Sequence, residues 1–235
     1  MCYRTLLICA VACSMQSGSA FAQGAKQPKV HPGPNEPDWD KVLKGQYGLS
    51  MWDDLLNPVK TTVEETPGRF RKAGPGPVTF RPAIALGLET KNRGGWYATP
   101  SGTEAPKRNE LWSYTWKNTT ADVTSGDRLP PPLDEGTTTS FDPGNAPFGL
   151  WVSNDGLKDS LVFTEPRLVS AHNPRLAPQP YKVMIYPNRD VKTGKPIPNS
   201  YVVGWEYSTN DDFQDIVSIV DNVELIDANV SGAKP

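Results

Sequence analysis

Hydrophobic and polar positions along the chain fall into short blocks, and their period changes once, near residue 60. Trp39, Val42 and Leu43 recur at helical spacing behind Asp38, a side chain suited to capping a first turn. Met51, Trp52, Leu55 and Leu56 continue that spacing until Asn57-Pro58 ends it, so residues 38–58 are expected to form a short helical segment packed on the main domain. Beyond Gly68 the pattern turns to strands. Val78 to Leu88 is mostly apolar, and Leu111-Trp112-Ser113-Tyr114-Thr115-Trp116-Lys117 alternates strictly. Phe148 to Val152, Leu161 to Phe163, Tyr181 to Tyr186, Tyr201 to Tyr207 and Ile216 to Val220 are further strand-length blocks, each bounded by Gly, Pro, Asn or Asp. No segment after Pro58 carries a convincing 3.6-residue period. The pattern predicts an all-β domain over residues 68–227, a two-sheet sandwich of jelly-roll type, with a tail at 228–235.

Composition adds a destination. Met1-Cys2-Tyr3-Arg4 carries one positive charge, Thr5 to Cys13 is apolar but too short to span a membrane, and Ala20-Phe21-Ala22 fits a cleavage site. Residues 1–22 therefore read as a signal peptide for secretion or for the periplasm, and 23–37, rich in Pro, Gly and Lys, as a flexible lead-in. Lipidation at Cys13 is the rival reading, although the leucine usual three positions upstream is missing. All 3 cysteines lie within that signal, so the exported chain has no disulfide framework, thiol nucleophile or cysteine metal site. With 24 basic and 26 acidic residues and no basic stripe, nucleic acid is not an expected partner.

The candidate chemistry concentrates after Trp205. Glu206, Asn210, Asp211, Asp212 and Asp215 sit between two strand-like blocks, and carboxylates so close repel unless something neutralises them. In a hairpin they would converge as oxygen ligands for a hard cation, with calcium the expected one. An EF-hand is excluded, because its sixth-position Gly and twelfth-position Glu are missing. The other reading is an ordinary solvated acidic turn.

The run Tyr181-Lys182-Val183-Met184-Ile185-Tyr186-Pro187, then Gly194-Lys195-Pro196-Ile197-Pro198-Asn199-Ser200-Tyr201, then Trp205-Glu206 and Asn210-Asp211-Asp212-Phe213-Gln214-Asp215 resembles a C-terminal module of large secreted bacterial multidomain proteins. It is also similar to acidic β-sandwich modules with an E…DxDFND core, for which calcium binding is suspected. The resemblance implies a β-sandwich, export, and acidic roles for Glu206, Asn210, Asp212 and Asp215. Asn210 stands where the second group has Asp, which weakens a cation site.

Aromatic residues offer a second candidate. Trp112, Tyr114 and Trp116 share one face of the alternating strand, spaced about 7 Å apart. Facing outward they would form a stacking platform for a polysaccharide; facing inward, the favoured reading, they would be core. Trp96 and Trp151 supply alternative rim aromatics for a carbohydrate or cell-surface partner. Other chemistry is thin. His31 and His172 are the only histidines, so a two-histidine zinc site is not expected, and no G-x-S-x-G elbow accompanies His172. Glu89, Glu110, Glu165 and Glu206 could supply a carboxylate pair for glycoside cleavage. Three functions follow in order: an exported non-catalytic module, stabilised by a cation and binding a ligand; a carbohydrate-active enzyme on the same sandwich; and a surface-assembly component docked through Trp39–Leu56.

Overall fold

The computed structural model describes residues 28–226 apart from 31, 33–35, 61, 63–64 and 125–129. The signal peptide, Cys13, the cleavage site after Ala22 and the tail at 228–235 lie outside the described residues.

Two antiparallel sheets face each other, as the strand pattern predicts. The first is built from β1 (Arg69–Lys72), β3 (Asn92–Ala98), β4 (Arg108–Tyr114), β6 (Phe148–Asn154), β7 (Val162–Phe163) and β11 (Val223–Ile226), in the order β11-β1-β6-β3-β4 with β7 also on β6. The second runs β5-β2-β10-β9-β8, from β5 (Ser140–Phe141), β2 (Val78–Ala85), β10 (Ile216–Asp221), β9 (Pro196–Trp205) and β8 (Val183–Arg189). The core lies between them. Phe80 of the second sheet packs 5.2 Å from Trp112 of the first and 6.0 Å from Trp205 of its own, ring centre to ring centre.

The outer face of the second sheet has a cover of its own. Helix α1 (Trp39–Tyr47) begins at Asp38, whose carboxylate accepts the Asp40 N–H at 3.0 Å, and buries Trp39, Val42, Leu43 and Tyr47. They form a second apolar cluster with Tyr181, Met184, Val202, Phe213 and Val217. Val30 packs against it too, so the described part of the lead-in is docked rather than free.

The helical spacing of Met51–Leu56 does not become helix. Gly48 adopts φ 64° and ends α1, and the Leu49 N–H turns back to the Leu43 carbonyl at 3.3 Å. The chain then runs beside the edge strand β8. The Leu56 N–H donates to the Ile185 carbonyl at 2.9 Å, while the buried Asn57 side chain donates to the Val183 carbonyl at 2.9 Å and accepts the Ile185 N–H at 2.8 Å. An exposed strand edge is a template for unwanted pairing, and this segment fills it.

Four further elements depart from the sequence pattern. The alternating strand ends at Tyr114, β3 passes through Gly94-Gly95, and two short helices, α2 (Thr120–Thr124) and α3 (Pro166–His172), lie among the strands. Among the described residues no helix is long and apolar enough to cross a membrane.

Candidate metal centre

β9 and β10 are ladder neighbours whose last pair at this end is Trp205 with Ile216, so Glu206 and Asp215 leave the sheet opposite each other. The Tyr207 N–H donates to Asp215 Oδ2 at 2.9 Å. The Asp215 carbonyl accepts the N–H groups of Leu86 and Gly87 at 3.1 and 3.0 Å, which ties the loop to the end of β2. Gly87 is required there: a Cβ would lie 1.9 Å from the Tyr207 hydroxyl and 2.7 Å from Asp215 Oδ1.

Glu206 organises the loop from within. Its Oε1 accepts the Ser208 N–H at 2.6 Å and its Oε2 the Asp212 N–H at 2.8 Å. Asp211 and Phe213 both hold φ 58°, a conformation costly for bulky side chains. Phe213 is held in it by its buried ring, 5.8 Å from that of Tyr181. The turn brings carboxylate oxygens of Glu206, Asp212 and Asp215 within 4.8 Å of one another, at side chains 0%, 1% and 8% exposed.

Among the described residues, no positive side chain pairs with this cluster. Lys182, buried beside it, is spent on Asp211. Burial, then the Glu206 charge and the Glu36 carboxyl, push the Asp212 carboxyl up to about 8. Burial, then Glu206 and Asp212, push Asp215 well above its ordinary range. Asp212 and Asp215 therefore retain protons, or the loop acquires a cation.

The donor set fits a hard cation, which takes oxygen ligands. Two buried polar groups near it find no partner among the described residues: the Tyr114 hydroxyl, which sits in the field of Asp215, and the carboxamide of Gln214 within the loop. A cavity of about 240 Å³, lined by Glu36, Gly87, Tyr207, Ser208, Asn210 and Asp215, gives access from outside.

The arrangement corrects part of the expected ligand set. Asp211 turns to Lys182 rather than to its acidic neighbours, and Asn210 is exposed, its amide donating to Asp212 Oδ2 at 2.6 Å. A left-handed residue at 211 throws adjacent side chains in different directions, which spacing alone does not reveal. Glu36 was missed. Its one signal is an acid just ahead of the α1 cap, and only the fold brings it to Asp212.

The aromatic platform is corrected as well. Trp112 and Tyr114 are fully buried and stack on each other at 5.8 Å, as the inward reading expects, while Trp116 lies past the strand and is partly exposed. Trp96 is half-buried and stacks on Phe141 of the edge strand β5 at 5.1 Å. Trp151 is buried under Arg108, whose guanidinium carbon lies 5.0 Å from the ring centre. The glutamates occupy separate settings. Glu110 pairs with Arg93, Glu165 is buried against Arg167 at 2.7 Å, and Glu206 belongs to the acidic loop. His172 Nε2 lies 2.6 Å from the Thr103 carbonyl, next to no other catalytic partner among the described residues.

No family model, curated protein sequence or solved structure matches the chain.

Proposed function

We propose that the chain is an exported, non-catalytic β-sandwich protein, held at its β9–β10 loop by a divalent cation, calcium, and serving as a binding module for a polysaccharide or a cell-surface partner. One observation carries the cation: Glu206, Asp212 and Asp215 converge in a buried loop with no positive side chain paired to them among the described residues. A divalent ion displaces the protons, neutralises the mutual repulsion and stabilises only the folded loop. The resemblance of residues 181–215 to secreted acidic modules supports the same reading.

Binding is favoured over turnover because Glu110, Glu165 and Glu206 each engage different partners rather than forming one pair. Docking through Trp39–Leu56 is disfavoured, since Trp39, Val42 and Leu43 are spent on the second apolar cluster. Isothermal titration of metal-depleted protein with calcium and with magnesium tests the cation. Calcium is expected to bind at one site per chain with proton release at pH 7; no heat and no proton release would remove it.

A further inference from the structure

The outer face of the six-stranded sheet carries a second concentration of polar chemistry, away from the acidic loop. Where β4, β3 and β6 run side by side, Arg93 lies between Ser113 and Ser153, and Gly95 lies between Glu110 and Trp151. A Cβ on Gly95 would meet the Asn109 carbonyl at 2.0 Å and Trp151 Nε1 at 2.9 Å, so the indole lies close over the strand. Beside the indole lies a cleft of about 560 Å³, walled by Arg93, Arg108, Glu110, Trp151, Ser153 and Asp155. Small-molecule sites commonly span about 300–1,000 Å³.

Arg93 organises this cleft. Its Nε and Nη2 donate to Asp155 at 3.1 and 3.0 Å, and its Nη1 donates to both Glu110 oxygens at 3.1 and 3.2 Å. One planar group thus fixes two carboxylates. Both acids keep free acceptor edges, with Glu110 44% and Asp155 48% exposed. Arg108 covers the Trp151 ring and forms no ion pair among the described residues. The buried Trp151 ring lines the cleft, with its N–H turned in against Gly95, so the indole reports on the cleft without bonding to what enters it.

The charges decide what fits. Two guanidinium groups face two carboxylates, so an anion meets Glu110 and Asp155 while a cation meets Arg93 and Arg108. A neutral molecule with several hydroxyls suits both: each hydroxyl donates to a carboxylate and accepts from a guanidinium. Asp155 is also wrong as the acid for hydrolysis, which needs a protonated carboxyl, because the hydrogen bond from Arg93 holds it below its ordinary range.

We propose that this cleft is a binding site for an uncharged oligosaccharide. The proposal takes up the reading of the chain as a binding module and is independent of the cation. The test follows the Trp151 indole N–H by 15N NMR in the full chain, its resonance identified with Trp151→Phe. The protein is titrated with maltohexaose, cellohexaose, xylohexaose and mannohexaose, and with hexagalacturonate as the anionic control, each in calcium and again in chelator. At least one neutral hexasaccharide is expected to shift the indole resonance, and to bind at least tenfold more weakly to Glu110→Gln and to Asp155→Asn. Both positions are half-exposed, so these variants carry the test if the Trp151 variant fails to fold. No shift with any neutral hexasaccharide would overturn the proposal, as would tighter binding of hexagalacturonate or the appearance of new reducing ends. Saccharide binding that persists in chelator while calcium leaves the protein unchanged would keep this site and remove the cation; the reverse pattern would remove this site alone.

Discussion

Glu206 and Asp212 share one hydrogen bond, Oε2 accepting the Asp212 N–H at 2.8 Å, and that bond closes the loop that carries both acids. The bond stabilises the turn and at the same time draws the Asp212 carboxylate toward the charge of Glu206. Local backbone geometry and electrostatics therefore oppose each other at this point. A proton relieves the conflict at low pH, and the proposed cation relieves it at high pH.

The pH dependence has a definite sign. The Asp212 carboxyl titrates near 8 in the folded, metal-free chain, against about 3.9 when unfolded. Above about pH 4 the folded state thus holds a proton that the unfolded chain has lost, and stability falls as pH rises. The contribution is fully present below about pH 4 and gone once pH passes about 8; each unit between removes up to about 1.4 kcal/mol. Urea unfolding in chelator should give a lower midpoint at pH 8.5 than at pH 5, and calcium should flatten the slope. A profile in chelator that is level across that range contradicts the clustering of the acids.

Asp212→Asn separates the charge from the shape. The variant removes one buried carboxyl while keeping an oxygen that can accept the Asn210 amide or the Gln214 N–H. Without metal at pH 8.5 it should be at least as stable as the parent, and it should lose the calcium response. Equal loss of stability with and without calcium would instead make Asp212 a purely structural acceptor.

How much of this was legible in the sequence depends on the range of the forces involved. Helix α1 was readable because Asp38 and the spacing of Trp39, Val42 and Leu43 are local signals. Strands β2, β6, β8, β9 and β10 were readable because their buried faces demand apolar runs. Strand β3 was not, since Gly94-Gly95 reads as a turn until the rings of Trp112 and Trp151 are seen occupying the space above them. Helix α3, seven residues opened by a proline, is too short to display a period. In the site, Glu206, Asp212 and Asp215 stood out by density, whereas the diversion of Asp211 to Lys182 depends on a positive φ, and the approach of Glu36 on packing of the chain ends.

Asn57 gives a separate test of the N-terminal segment. Its side chain serves two backbone groups of β8, at Val183 and Ile185, and is fully buried. Asn57→Ala leaves both without that partner, at about 1–3 kcal/mol each. Denaturant unfolding should show a loss of about 2–6 kcal/mol; a change under about 0.5 kcal/mol would place the segment outside the cooperative unit.

The aromatic residues of the 112–116 run should differ sharply. Trp112→Ala empties a fully buried site and is expected to cost about 3–5 kcal/mol. Trp116→Ala, at a partly exposed side chain, should stay within about 0.5 kcal/mol. Comparable thermal shifts in the two variants would contradict the inward orientation of the strand.

Whether a cation holds the acidic loop is decided by the melting midpoint of the full chain at pH 8, taken in chelator and then in excess calcium. At a hundredfold excess over Kd, binding to the folded state alone adds about 2.7 kcal/mol, or about 5–10 °C for a domain of this size. A rise of that order is expected, reversed by chelator and lost in Asp212→Asn. A midpoint indifferent to calcium would contradict the cation and leave Asp212 and Asp215 to be neutralised by protons alone.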